Sequence, residues 1–143
     1  MTTLYEADFF TWAKSQAEAA RRRSANELDW DRLAEELEAL GASEQRELFS
    51  RYVVLLTHLL KWTHQPERRT RSWTNTIAAQ RAQIARHLAR NPGLKAKEAE
   101  EFAAAYAEAR LAASTQTDLD VSVFPEAPAF TLELARDESF LPD

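Results

Sequence analysis

Residues 58–73, HLLKWTHQPERRTRSW, concentrate the side chains most able to do chemistry: His58 and His64, Trp62 and Trp73, Arg68, Arg69 and Arg71, with Pro66 between them. An imidazole changes charge near neutrality and can give or take a proton. Paired with a carboxylate, His58 could do general acid–base work. Glu36 is the candidate partner. It flanks a leucine stripe in the segment before, and an antiparallel hairpin of the two segments would bring it to the basic side of the second. Arg51 lies seven residues before His58 on the same side, with Glu47 one turn earlier. The bland alternative is a half-buried ion pair that fixes helix register. Glu36 and His58 are thus the catalytic candidates, and the sequence leaves open whether the chain is an enzyme.

Arg68, Arg69 and Arg71 sit where a new helix should begin, and cations there oppose the helix dipole. Two arrangements would offset that. The guanidinium groups could reach back to Glu35, Glu36 or Glu38, or they could hold an anion together with the free N–H groups of the helix start. Charge matching is the expectation, and Arg68, Arg69 and Arg71 remain the anion-binding candidates. His58 and His64 are six residues apart, about 240° around a helix, so one face cannot present both to an ion. Neither Glu-x-x-His nor His-Glu-x-x-His occurs. A metal site would need ligands from several helices, and none is expected. There is no glycine-rich loop, serine elbow or nucleotide fingerprint, so no cofactor is expected either. His87 reads as a packed histidine at the surface edge of its helix. The four tryptophans, Trp12, Trp30, Trp62 and Trp73, read as core plugs with their N–H on backbone carbonyls. Stacking platforms for bases are the alternative.

These residues must be positioned by helices. Only two glycines, Gly41 and Gly93, occur in 143 residues, cysteine is absent, and hydrophobic residues make up 45%. Alanine, leucine, glutamate and arginine dominate, all good helix formers. The pattern predicts an all-α fold, a five-helix bundle-like domain with an extended C-terminal arm. It is read as one domain over 1–143, the bundle occupying 1–116 and the arm 117–143. The first helix spans about 5–23. The second starts near Asn26 or Asp29 and ends at Gly41 as a C-terminal cap. The third opens at Ser43 and stops at Pro66. Its apolar arc is wide enough for a central helix with neighbours on two sides. The fourth runs from Ser72 to about Asn91, and the fifth from about Lys95 to Ser114. Val121, Val123, Phe124, Phe130 and Phe140 would be odd in a free tail, so the arm should pack on a bundle, its own or a partner's, with a short helix near 131–136.

The net charge of −5 conceals three blocks: −5 over residues 1–50, +9 over 51–97 and −9 over 98–143. Internal neutralisation explains this most simply, and a basic face for an anion or nucleic acid is the sharper reading. Overall acidity disfavours nucleic acid, because phosphate neutralisation drives such binding. No charged-then-apolar leader and no apolar run near 18 residues is present, so no membrane partner and a cytoplasmic location are the default expectations.

LDWDRLAEELEALGASEQRELFSR, then HLLKWTHQPERRTRSWTNTIAAQRAQI and FPEAPAFTLE in the arm, resemble a small bacterial family catalogued as domain of unknown function twenty-nine. His64 stands where that pattern has a tyrosine. The resemblance covers nearly the whole chain and implies a compact helical fold. It brings no activity and no catalytic residue. Three functions stay open: a non-enzymatic module that binds a protein partner or forms a homo-oligomer, which the missing catalytic motifs favour; anion or nucleic-acid binding through 51–97; and an enzyme with an acid–histidine site.

Overall fold

The computed structural model describes all residues, 1–143. It is all-α: six α-helices and four short 3-10 turns, with no strand. No helix is long and apolar enough to cross a membrane. The chain divides into two compact units, residues 1–42 and 43–143.

The first unit holds α1 (Leu4–Ala7), α2 (Phe9–Arg21) and the start of α3 (Trp30–His64). The single helix expected over 5–23 is broken at Asp8. That residue leaves the helical region (φ −154°, ψ 83°), and its carboxylate accepts from the Thr11 N–H at 3.0 Å and its hydroxyl at 2.6 Å. A side chain that caps so well starts a helix rather than continuing one. Thr3 and Glu6 form a reciprocal capping box on α1. α2 ends early because Arg23 takes a left-handed conformation, φ 57°. A 3-10 turn over Ala25–Glu27 follows. Gln16 on α2 then secures the return. Its amide donates to the Glu27 carbonyl (3.3 Å), and its oxygen accepts the Asp29 N–H (2.7 Å). Asp29 caps α3 through the Arg32 N–H. Trp12, Gln16 and Ala19 are the only buried residues of this unit.

α3 runs unbroken past Gly41, so the cap expected at Gly41 and the fresh start expected at Ser43 do not occur. Gly41 has no positive φ. An interior glycine costs about 1 kcal/mol, too little to stop a helix flanked by alanine and leucine with no proline following. The hairpin expected between the Glu36 and His58 segments is therefore absent.

The second unit packs the rest of α3 with α4 (Arg71–Arg90), α5 (Glu98–Thr117) and α6 (Leu132–Arg136). α3 is central, as its wide apolar arc requires: Leu48, Tyr52, Leu55, Leu56, Leu59 and Leu60 are all buried. Ile77, Ile84 and Leu88 of α4 and the alanine-rich face of α5 close on it. Thr70 rather than Ser72 caps α4, its hydroxyl accepting from the Trp73 N–H. α5 starts and ends three residues later than expected, and its first turn carries Glu98, Glu100 and Glu101, which complement the dipole.

The arm packs on its own unit. Phe124 and Phe130 are buried. Arg110 donates to the carbonyls of Phe124 (2.9 Å) and Val121 (3.2 Å). Tyr106 donates to the Pro125 carbonyl at 2.7 Å, and Arg81 to that of Ala135 at 2.7 Å. These bonds satisfy a segment that has few internal ones, which is what holds an irregular chain in place.

Candidate functional site

Glu36 and His58 lie on one continuous helix, 22 residues or about six turns apart. Each has its own surroundings. Glu36 accepts a short hydrogen bond from the Tyr5 hydroxyl, and this bond is the largest cause raising the tyrosine above its ordinary value. His58 donates from Nδ1 to the Val54 carbonyl at 2.8 Å. Burial, with a smaller contribution from Lys61, holds its imidazole below the usual range. His64 is likewise lowered by burial and sits edge-on to Phe124, ring centres 5.0 Å apart.

The arginines after Pro66 do not clamp acids. Arg69 donates to the Trp62 carbonyl at 2.8 Å and stacks on its ring at 4.7 Å. Arg68 and Arg71 are exposed, and none of the three forms an ion pair with Glu35, Glu36, Glu38 or any other carboxylate. The reason is local: a planar guanidinium finds a tryptophan face and a helix-end carbonyl within its own turn. Trp73 in turn carries the Lys61 ammonium at 4.8 Å. So two cations of residues 58–73, Lys61 and Arg69, rest on the aromatic faces of their own segment.

The sequence reading missed a polar seam between α3 and α4. Glu44 and Glu47 are one turn apart on α3. His87 reaches them from α4 with only 4% of its side chain exposed, so it is no surface-edge residue. Its Nε2 lies 2.7 Å from the Glu44 backbone carbonyl. Its Nδ1 lies 3.4 Å from Glu47 Oε2. Arg51 donates to Glu47 Oε1 at 3.1 Å and to Gln80 at 3.4 Å, while its Nε is buried without a partner. Asn91 donates to the Glu44 carboxylate at 3.4 Å. The only signal for this seam in the sequence was the Glu-x-x-Glu spacing, and its third member is 40 residues away on another helix.

The first unit carries an apolar groove of about 650 Å³ between α2 and the first turns of α3. Along α2 the small side chains Ala13, Ala17 and Ala20 lie beside Phe9, Trp12 and Gln16. Its α3 wall is large: Trp30 is 62% exposed, Leu37 66% and Leu40 63%. Phe9, 49% exposed, stands at one end beside Tyr5 and Trp12. Trp30 is thus no core plug, although its indole N–H does reach the Ala25 carbonyl at 3.2 Å. Phe9, Trp12, Gln16 and Ala20, spaced to share one face of α2, all line this groove.

Residues 4–141 match the family model described as domain of unknown function DUF29. The chain belongs to that family. No curated protein and no solved structure matches it.

Proposed function

We propose that this member of the DUF29 family is a non-enzymatic self-association module, and that the groove between α2 and α3 takes the same face of a second copy. The observation that carries the reading is the exposure of the groove's large side chains. Four of them stand about half to two-thirds exposed in a unit whose one large buried apolar residue is Trp12. A two-helix element cannot cover its own apolar face, and four-helix packing of two such pairs is the simplest way to do so. The two walls are complementary in size: alanines on α2 leave room for a tryptophan and leucines from α3. A two-fold axis would set the large residues of each α3 wall against the partner's α2 alanines.

The area is sufficient. At the 150–250 Å² that aromatic side chains bury, and somewhat less for leucine, the four residues still expose roughly 400 Å² of apolar surface per copy. A stable interface buries about 800 Å² per partner, of which about 65% is apolar in homodimers. Alanines and Leu33 along the groove supply much of the remainder. Covering this surface takes roughly 800 Å² of apolar area out of water over both copies, the favourable term that must outweigh the freedom lost on association. The test is molar mass by light scattering and sedimentation across a wide concentration range. A dimer that dissociates on dilution supports the reading, and a monomer at every concentration removes it.

One observation favours a second reading. Arg68 and Arg71 are exposed and unpaired to any acid at the start of α4, as an anion contact would require. Retardation of a nucleic acid at low salt, lost in Arg68→Ala with Arg71→Ala, would support it.

A further inference from the structure

We infer that Glu44, Glu47 and His87 form a binding site for a first-row divalent transition ion of the zinc type. One ligating atom from each residue lies within 4.8 Å of the others. The imidazole is the decisive member. The Glu44 backbone carbonyl is an acceptor only, so Nε2, 2.7 Å away, carries the ring hydrogen. This leaves the Nδ1 lone pair aimed at Glu47 Oε2 across 3.4 Å, on a side chain that is 4% exposed. Two electron-rich atoms face one another there, with no hydrogen bond between them. Two ligands bonded to one ion at about 2.1 Å, with a tetrahedral angle between them, stand about 3.4 Å apart.

The surroundings are those of a metal ligand set. A ligating histidine usually has its second nitrogen held by a carbonyl or carboxylate, which fixes both tautomer and ring orientation. The Glu44 carbonyl does that here. Arg51 holds Glu47 by Oε1 at 3.1 Å, so that Oε2 is the oxygen turned to His87. The Glu44 carboxylate, 3.6 Å from Nε2 and bonded to Asn91 Nδ2 at 3.4 Å, is the third member of the set, with 40% of its side chain exposed. One nitrogen and two carboxylates suit zinc, manganese, iron or cobalt. They suit calcium poorly, because it takes oxygen ligands alone. Coordination positions not filled by protein would go to water.

The full-length protein, treated with a chelator and dialysed, is titrated with zinc chloride in a calorimeter. One ion per chain is expected, with no saturable heat from calcium. Glu47→Gln, at a side chain 42% exposed, leaves the fold intact and should weaken zinc binding at least tenfold. Nitrogen-15 spectra of the histidine rings give a second readout that does not depend on any variant folding: zinc should shift Nδ1 of His87 and leave His58 and His64 unmoved. Absence of heat at millimolar zinc, undiminished binding by Glu47→Gln, or a shift at His58 or His64 instead would each overturn the site.

Discussion

Leu37→Ala isolates assembly from folding. Leu37 is 66% exposed on the large wall of the groove, so its removal takes little from the single chain. Alanine is the best helix former, so α3 keeps its conformation. Burying a whole leucine contributes ~1.5–3 kcal/mol. About two-thirds of it remains to be covered on association, and alanine retains part, which makes the loss roughly 1 kcal/mol per copy. A two-fold pairing counts the change twice, giving about 2 kcal/mol, or about thirtyfold in dimer dissociation constant. Leu111, 55% exposed on α5 in the other unit, is the control. Sedimentation equilibrium on wild type, Leu37→Ala and Leu111→Ala reads the difference directly. If Leu37→Ala dissociates no more readily than Leu111→Ala, the groove is not the assembly surface and the reasoning from exposure fails.

Gly41→Ala should stabilise the protein by about 1 kcal/mol, because Gly41 is helical and an added Cβ meets nothing within 4 Å; a lowered urea midpoint would contradict the continuous helix. Arg110→Leu orphans the carbonyl of Phe124 and leaves that of Val121 with only the Phe124 N–H. It should cost about 2–3 kcal/mol and open the arm to chymotrypsin near Phe124, with an unchanged cleavage pattern refuting the role given to Arg110. Burial holds His58 and His64 below the ordinary 6.5, so the unfolded chain protonates first as pH falls. Their contribution to stability is complete above 6.5 and is lost as pH drops toward the folded-state values. The urea midpoint should fall between about pH 7.5 and 5.5, and fall less in a His58→Gln, His64→Gln variant; equal slopes would exclude these two imidazoles as the cause.

The second unit was largely legible in the sequence. The 3.6-residue recurrence of Leu48, Tyr52, Leu55 and Leu59, stopped by Pro66, marks a central helix, and the buried residues follow it. The arm's phenylalanines announced their own burial. Gly41 misled because a glycine after a leucine stripe looks alike whether it caps a helix or is merely tolerated inside one. The difference lies in a left-handed φ that sequence does not state. That single misreading created a hairpin and placed Glu36 opposite His58. Arg69 misled because charge balance is a property of blocks, whereas its actual partners, the Trp62 ring and carbonyl, are seven residues away in the same junction. The His87 seam was hidden by sequence distance. The groove residues were seen as a stripe, but periodicity gives a face and does not say whether the chain itself covers it.

Gln16, in the body of α2, grips the far end of the turn, the Glu27 carbonyl and the Asp29 N–H, where the chain enters α3. The clasp belongs to the body of a helix, while the loop it closes is merely spanned. Residues between Arg22 and Ala25 should therefore accept insertion or replacement with little effect on the angle of the returning helix. Gln16→Glu, which keeps the shape but surrenders the donated hydrogen, should loosen it more than any rewriting of the loop.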